Sequence, residues 1–123
     1  MPKKIFIVDD DQDMVYIIKE TLEKHGYEVM TAPDGAMALI KLKTNVPDLM
    51  IIDLTMPGMS GWHLTTKIRK DERYKTTPII VLSGLLERDA EPQEFESASA
   101  YMVKPFDIFK LINKIKELLK ESP

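Results

Sequence analysis

Ile5-Phe6-Ile7-Val8-Asp9-Asp10-Asp11 sets four apolar or aromatic residues in an unbroken run and ends them in three acids. A short run with no polar alternation suits a strand buried on both faces, as in a parallel sheet. Comparable runs follow at Tyr27–Ala32, Leu49–Ile52, Ile79–Leu82 and Tyr101–Val103. Helical spacing fills the gaps between them. Met14, Ile17, Ile18 and Leu22 step at three and four residues, and His25-Gly26 supplies a stop. Asp34-Gly35 opens a second helix with Ala36, Leu39, Ile40 and Leu42 on its apolar side, and Ser60 caps a third with Leu64 and Ile68 inward. Asp107 caps the last, where Ile108, Leu111, Ile112, Ile115, Leu118 and Leu119 form one stripe. Strand and helix alternate five times, which predicts a parallel α/β sheet with helices on both faces. The Leu85–Ser99 stretch is the exception: Pro92 interrupts it, so its helix is expected to be short and to start at or after that proline.

Composition narrows the function classes. The 123 residues fit one domain with a real core, spanning 1–123 with no composition shift. With no cysteine, disulfides and thiolate metal sites are excluded, and a reducing, cytoplasmic setting is expected. The apolar run after Met1-Pro2-Lys3-Lys4 is too short for a signal peptide or a membrane span. Net charge is −3 and the basic residues are scattered, so no nucleic-acid contact by this domain is expected.

Ligands of open parallel sheets bind beyond the carboxyl ends of the strands. Here those ends carry Asp9-Asp10-Asp11, Asp53, Ser83 and Lys104-Pro105. Carboxylates ending neighbouring strands, about 4.8 Å apart, are near contact. Two such charges at about 4 Å repel by roughly 4 kcal/mol at an effective dielectric of 20, so the cluster must raise its pKa values or hold a cation. Hard oxygen donors with room for water and a phosphate oxygen suit Mg²⁺. Taken singly, each residue has a plainer role: Asp11 as helix cap, Asp53 as loop acid, Ser83 as turn hydroxyl, Lys104 as solvated amine. Their joint placement favours chemistry. An X-Pro bond at Lys104-Pro105 can be cis and turn the chain sharply, aiming the ammonium into the acids.

Val8-Asp9-Asp10, Ile51-Ile52-Asp53 with Met56-Pro57-Gly58-Met59-Ser60-Gly61, Pro78-Ile79-Ile80-Val81-Leu82-Ser83, and Lys104-Pro105-Phe106 resemble the signature blocks of response-regulator receiver domains. The similarity runs from Lys3 to about Leu119 in order and spacing. It implies a flavodoxin-like three-layer α/β/α sandwich with strand order 2-1-3-4-5. It implies Asp53 as phosphoacceptor, and Mg²⁺ (or Mn²⁺) on Asp10, Asp53 and the Thr55 backbone carbonyl, with Asp9 assisting through water. Ser83 and Lys104 would contact the phosphoryl oxygens, and Tyr101 would be the aromatic switch that follows Ser83. Partners implied are a sensor histidine kinase or phosphotransfer protein, a downstream protein target, and a second copy in a phosphorylation-dependent dimer. The chain would catalyse only its own phosphorylation and dephosphorylation, and so would not count as an enzyme. Thr55 and Leu85, flanking the path of the hydrolytic water, would make the phosphorylated state long-lived.

Some features depart from that pattern. Ser97-Ala98 stands where Gly-Ala is common, and the Ser83-to-Lys104 interval is slightly short. Trp62 and His63 read as packing or surface residues. Rival functions are weaker. A phosphorylation-independent binding module would not need Asp10, Asp53, Ser83 and Lys104 together. An aspartyl-phosphate phosphohydrolase needs an acid where Thr55 stands, and a flavin phosphate would be repelled by three aspartates.

Overall fold

Period-two side-chain alternation decides which helices each strand meets. Phe6, Val8, Met50, Ile52, Ile79 and Val81 point to one side of the sheet, and Ile5, Ile7, Leu49, Ile51, Ile80 and Leu82 to the other. The computed structural model describes residues 2–84 and 98–121. Its elements are β1 (Lys4–Val8), α1 (Gln12–Lys24), β2 (Glu28–Ala32), α2 (Gly35–Leu42), β3 (Leu49–Asp53), α3 (Gly61–Arg69), a 3₁₀ turn (Glu72–Tyr74), β4 (Ile79–Ser83), β5 (Ala100–Val103) and α4 (Ile108–Leu118). The strands pair in parallel in the order β2-β1-β3-β4-β5, as the family resemblance implies. On one face Ala38, Leu42, Leu64 and Ile68 of α2 and α3 close the core. On the other Val15, Ile18, Leu22, Leu111, Ile112 and Ile115 of α1 and α4 do so.

The helix starts follow the expected capping chemistry. Asp11, Asp34, Ser60 and Asp107 each accept a backbone N–H from the first turn, at 3.1, 2.8, 3.1 and 2.8 Å. Each such cap is worth about 1 kcal/mol. Gly26, at φ +90°, follows the C-cap His25 and allows the reversal into β2.

Two expectations need correction. Ile17 and Ile40 are 61% and 55% exposed, and Ala36 is exposed too. The faces that turn inward are Val15, Ile18 and Leu22 on α1, and Gly35, Ala38 and Leu42 on α2. Neighbouring helix positions differ by about 100° in direction, so a stripe displaced by one residue leaves part of itself in solvent. Runs that read as fully buried are only half-buried in β2 and β5, because these are the sheet edges. The turn at Glu72–Tyr74 was not anticipated; Tyr74 buries its ring there and donates its hydroxyl to the Asn45 carbonyl at 2.7 Å. The helix expected within the Leu85–Ser99 stretch falls on 85–97, outside the described residues, as do Leu85 and Pro92. Among the described residues no helix is long and apolar enough to cross a membrane.

Candidate functional site

Register brings the strand ends together. Val8 lies opposite Ile52, and Asp53 opposite Leu82, so Asp9, Asp53 and Ser83 emerge side by side at the carboxyl edge. Main-chain bonds hold that rim: Asp9 N–H to the Ala32 carbonyl at 3.2 Å, Leu54 N–H to Leu82 at 2.7 Å, and Lys104 N–H to Ser83 at 2.6 Å. Asp9 and Ser83 are fully buried, Asp53 is 4% exposed, and Asp10 is exposed at the mouth. Carboxylate oxygens of Asp9, Asp10 and Asp53 lie within 4.8 Å of one another, close enough to share one metal ion.

Lys104 reaches in from the end of β5, its bond to Pro105 cis. Its ammonium bridges Asp53 Oδ1 at 3.0 Å and Asp9 Oδ2 at 3.1 Å. Three carboxylates against one ammonium leave excess negative charge. Burial pushes the Asp53 carboxyl up to about 6; the charge of Asp9 adds to the rise and Lys104 only partly offsets it. Asp9 is also raised, chiefly by burial, against the Asp11 N–H and Lys104, which pull it down. Burial alone would lower the Lys104 pKa, but its bonds to both carboxylates outweigh this, so the ammonium stays charged. An all-oxygen, incompletely neutralised cluster open at Asp10 fits a hard divalent cation.

Other expected residues sit as follows. Ser83 is hydrogen-bonded through its hydroxyl to the half-buried Tyr101 hydroxyl. The two side chains are therefore in contact across the β4–β5 edge. Thr55 is exposed on the loop after Asp53, and Asp11 caps α1 rather than joining the acid trio. His63 is exposed, and Trp62 is half-buried against the core.

Sequence reasoning missed two supporting residues. A Cβ on Gly61 would collide with the Asp53 carbonyl and lie 2.7 Å from Leu54 Cα, so glycine is what lets α3 start against the end of β3. The glycine was visible within the Met56–Gly61 block, but its close approach needed the fold. Gln12 donates its Nε2–H to the Asp9 carbonyl at 2.9 Å, a contact no spacing rule would flag. Beside the site a groove of about 750 Å³ runs between α1 and the start of α4, lined by Met14, Ile17, Ile18 and Phe106 and edged by Asp11 and Lys104.

Comparison with known proteins follows the same lines. The family model "Response regulator receiver domain" matches residues 5–116. The chain is 33% identical over 129 residues to the alkaline phosphatase synthesis transcriptional regulatory protein PhoP of Bacillus subtilis, covering 99% of this chain and 50% of that protein. It thus spans about half the length of that relative. Among solved structures it resembles response regulator TrrA of Thermotoga maritima in complex with Mg(2+)-BeF, with TM-score 0.84 and 37% identity over 94% of this chain and 98% of that one. It also resembles the chemotaxis response regulator CheY4 of Vibrio cholerae, with TM-score 0.84 and 31% identity over 96% and 99% of the two chains.

Proposed function

Since the chain belongs to the response regulator receiver domain family, we propose that it is a phosphoacceptor switch whose acceptor is Asp53. The observation that carries this reading is the buried Asp53 carboxylate, held at 3.0 Å by the Lys104 ammonium within the acid trio. Asp9, Asp10, Asp53 and the Thr55 carbonyl would hold Mg²⁺ or Mn²⁺, which when bound offsets charge on the transferring phosphoryl group. The solved TrrA relative, in complex with Mg(2+)-BeF, supports that cation.

The protein groups have separate tasks. Asp53, ionised above its raised pKa, supplies the carboxylate oxygen that attacks phosphorus in line. With a phosphohistidine donor the P–N bond breaks, and the imidazole nitrogen keeps the electron pair and takes up a proton. Lys104 turns from bridging two carboxylates to pairing with a phosphoryl oxygen. Ser83 must exchange its bond to Tyr101 for a phosphoryl oxygen, which links the chemistry to the β5 edge. A sensor histidine kinase or phosphotransfer protein as donor is supported by the groove beside Lys104, whose Met14, Ile17 and Phe106 offer an apolar seat. Residues 1–123 would act as one receiver domain in the cytoplasm, modifying only itself and passing the change to a downstream protein or a second copy.

Incubation with acetyl phosphate and Mg²⁺, followed by intact mass measurement, tests the reading. One phosphoryl group should be gained by the parent, none by Asp53→Ala, and none in EDTA. Equal yield in Asp53→Ala would overturn the acceptor. A parent that gains nothing would leave a phosphorylation-independent binding module as the better reading.

A further inference from the structure

We propose that Gln12 is a positioning residue of the cation site, holding the Asp9–Asp10 peptide so that Asp10 faces Asp9 and Asp53. This role rests on the Mg²⁺ reading above. Asp9 and Asp53 are placed by burial and by Lys104, and Asp9 Oδ1 also accepts the Asp11 N–H at 2.9 Å. Asp10 is exposed, and no side-chain hydrogen bond or ion pair to it is found among the described residues, so its placement rests on its backbone. The Asp10 nitrogen belongs to the peptide whose oxygen is the Asp9 carbonyl. That oxygen lies two positions outside the α1 ladder, since the Val15 N–H, the first along the helix, goes to the Asp11 carbonyl. The Gln12 amide takes it instead, at 2.9 Å. Gln12, though exposed, is the first residue of a helix whose cap, Asp11, accepts the Met14 N–H. The first residue of α1 thus reaches back to the peptide carrying the outermost acid.

The bond requires a donor, so shape and charge can be separated. Gln12→Met keeps length and helix propensity but cannot donate. Gln12→Glu keeps shape, cannot donate, and adds a negative charge that by itself would draw a cation closer. Mg²⁺ binding is measured by calorimetry or by Trp62 fluorescence, with parallel melts in EDTA. Losing one such bond should weaken Mg²⁺ binding roughly fivefold in Gln12→Met. Gln12→Glu should also bind more weakly than the parent, and the EDTA melting temperature of Gln12→Met should be unchanged. Unchanged affinity in Gln12→Met, tighter binding in Gln12→Glu, or a lower melting temperature with affinity intact would each overturn the role. A parent that does not bind millimolar Mg²⁺ would overturn both this role and the metal reading. A parent that binds, with Asp10→Asn weakened and Gln12→Met not, would remove the Gln12 role alone.

Discussion

Asp53 faces two other carboxylates and one ammonium, and the imbalance is readable as pH dependence. Its carboxyl titrates near 6 when folded, against about 3.9 in an unfolded chain. The folded state therefore holds this proton more tightly. Stability from this group is full below about pH 4, falls as pH rises through 6, and is lost above it. About two pH units correspond to at most roughly 3 kcal/mol, and Asp9 acts in the same direction. In EDTA the melting temperature should be higher at pH 5 than at pH 7.5, and Asp53→Asn should flatten that slope. Millimolar Mg²⁺ should recover most of the loss at pH 7.5. A flat parent profile across that range would contradict the charge imbalance. Lys104→Met should destabilise the metal-free protein at pH 7.5 by a few kcal/mol, because two buried carboxylates lose their shared partner. Its effect should shrink at pH 5, below the raised pKa of Asp53; urea titrations at both pH values would measure the difference.

Elements meet the site through their ends, so end residues matter more than helix interiors. At Gly61 the obstacle to a side chain is the Asp53 carbonyl and Leu54 Cα, both backbone, which no rotamer can avoid. Gly61→Ala should cost about 1–3 kcal/mol or more, the scale of core overpacking, and should weaken Mg²⁺ binding by shifting the end of β3. An alanine variant with parent stability in urea would show that α3 can move away freely. Asp107→Ala removes the bond to the Phe109 N–H at 2.8 Å and should cost about 1 kcal/mol. That loss should leave Mg²⁺ affinity unchanged, since the acid trio and Lys104 stand outside α4, at the ends of β1, β3 and β5. Caps were readable because Asp or Ser standing just before a helical stripe has one local task. Helix faces were read less well: Ile17 and Ile40 are apolar, yet Val15 and Ala38 are what the sheet covers.

Across the whole molecule, burial grades from centre to edge. β1, β3 and β4 are enclosed on both faces, while β2 and β5 carry half-exposed residues. Amides of Ile7, Ile51 and Val81 should therefore exchange with deuterium last, and those of β2 and β5 well before them. Simultaneous exchange of all five strands would mean that the sheet opens only as a unit. Glu121, beyond α4, is tied to the start of β2 by the Tyr27 hydroxyl, which donates to its carboxylate at 2.9 Å. Burial, with help from that carboxylate, pushes the Tyr27 phenol up to about 12.

Residue order alone specified the alternation of strands and helices, the four caps, and the candidates Asp9, Asp10, Asp53, Ser83 and Lys104. These are local signals: an unbroken apolar run, a capping side chain, a polar residue at a strand end. Strand order came from family likeness, because apolar runs do not say which neighbour they pair with. Three things needed the folded chain. Register decided that Asp9 and Asp53 stand side by side under one lysine, and sheet order decided that β2 and β5 are edges. Close approach decided that position 61 must be glycine and that the Gln12 amide meets the Asp9 carbonyl. Each depends on distances between segments that the sequence holds apart, and only packing, which satisfies buried polar groups and excludes water, sets those distances.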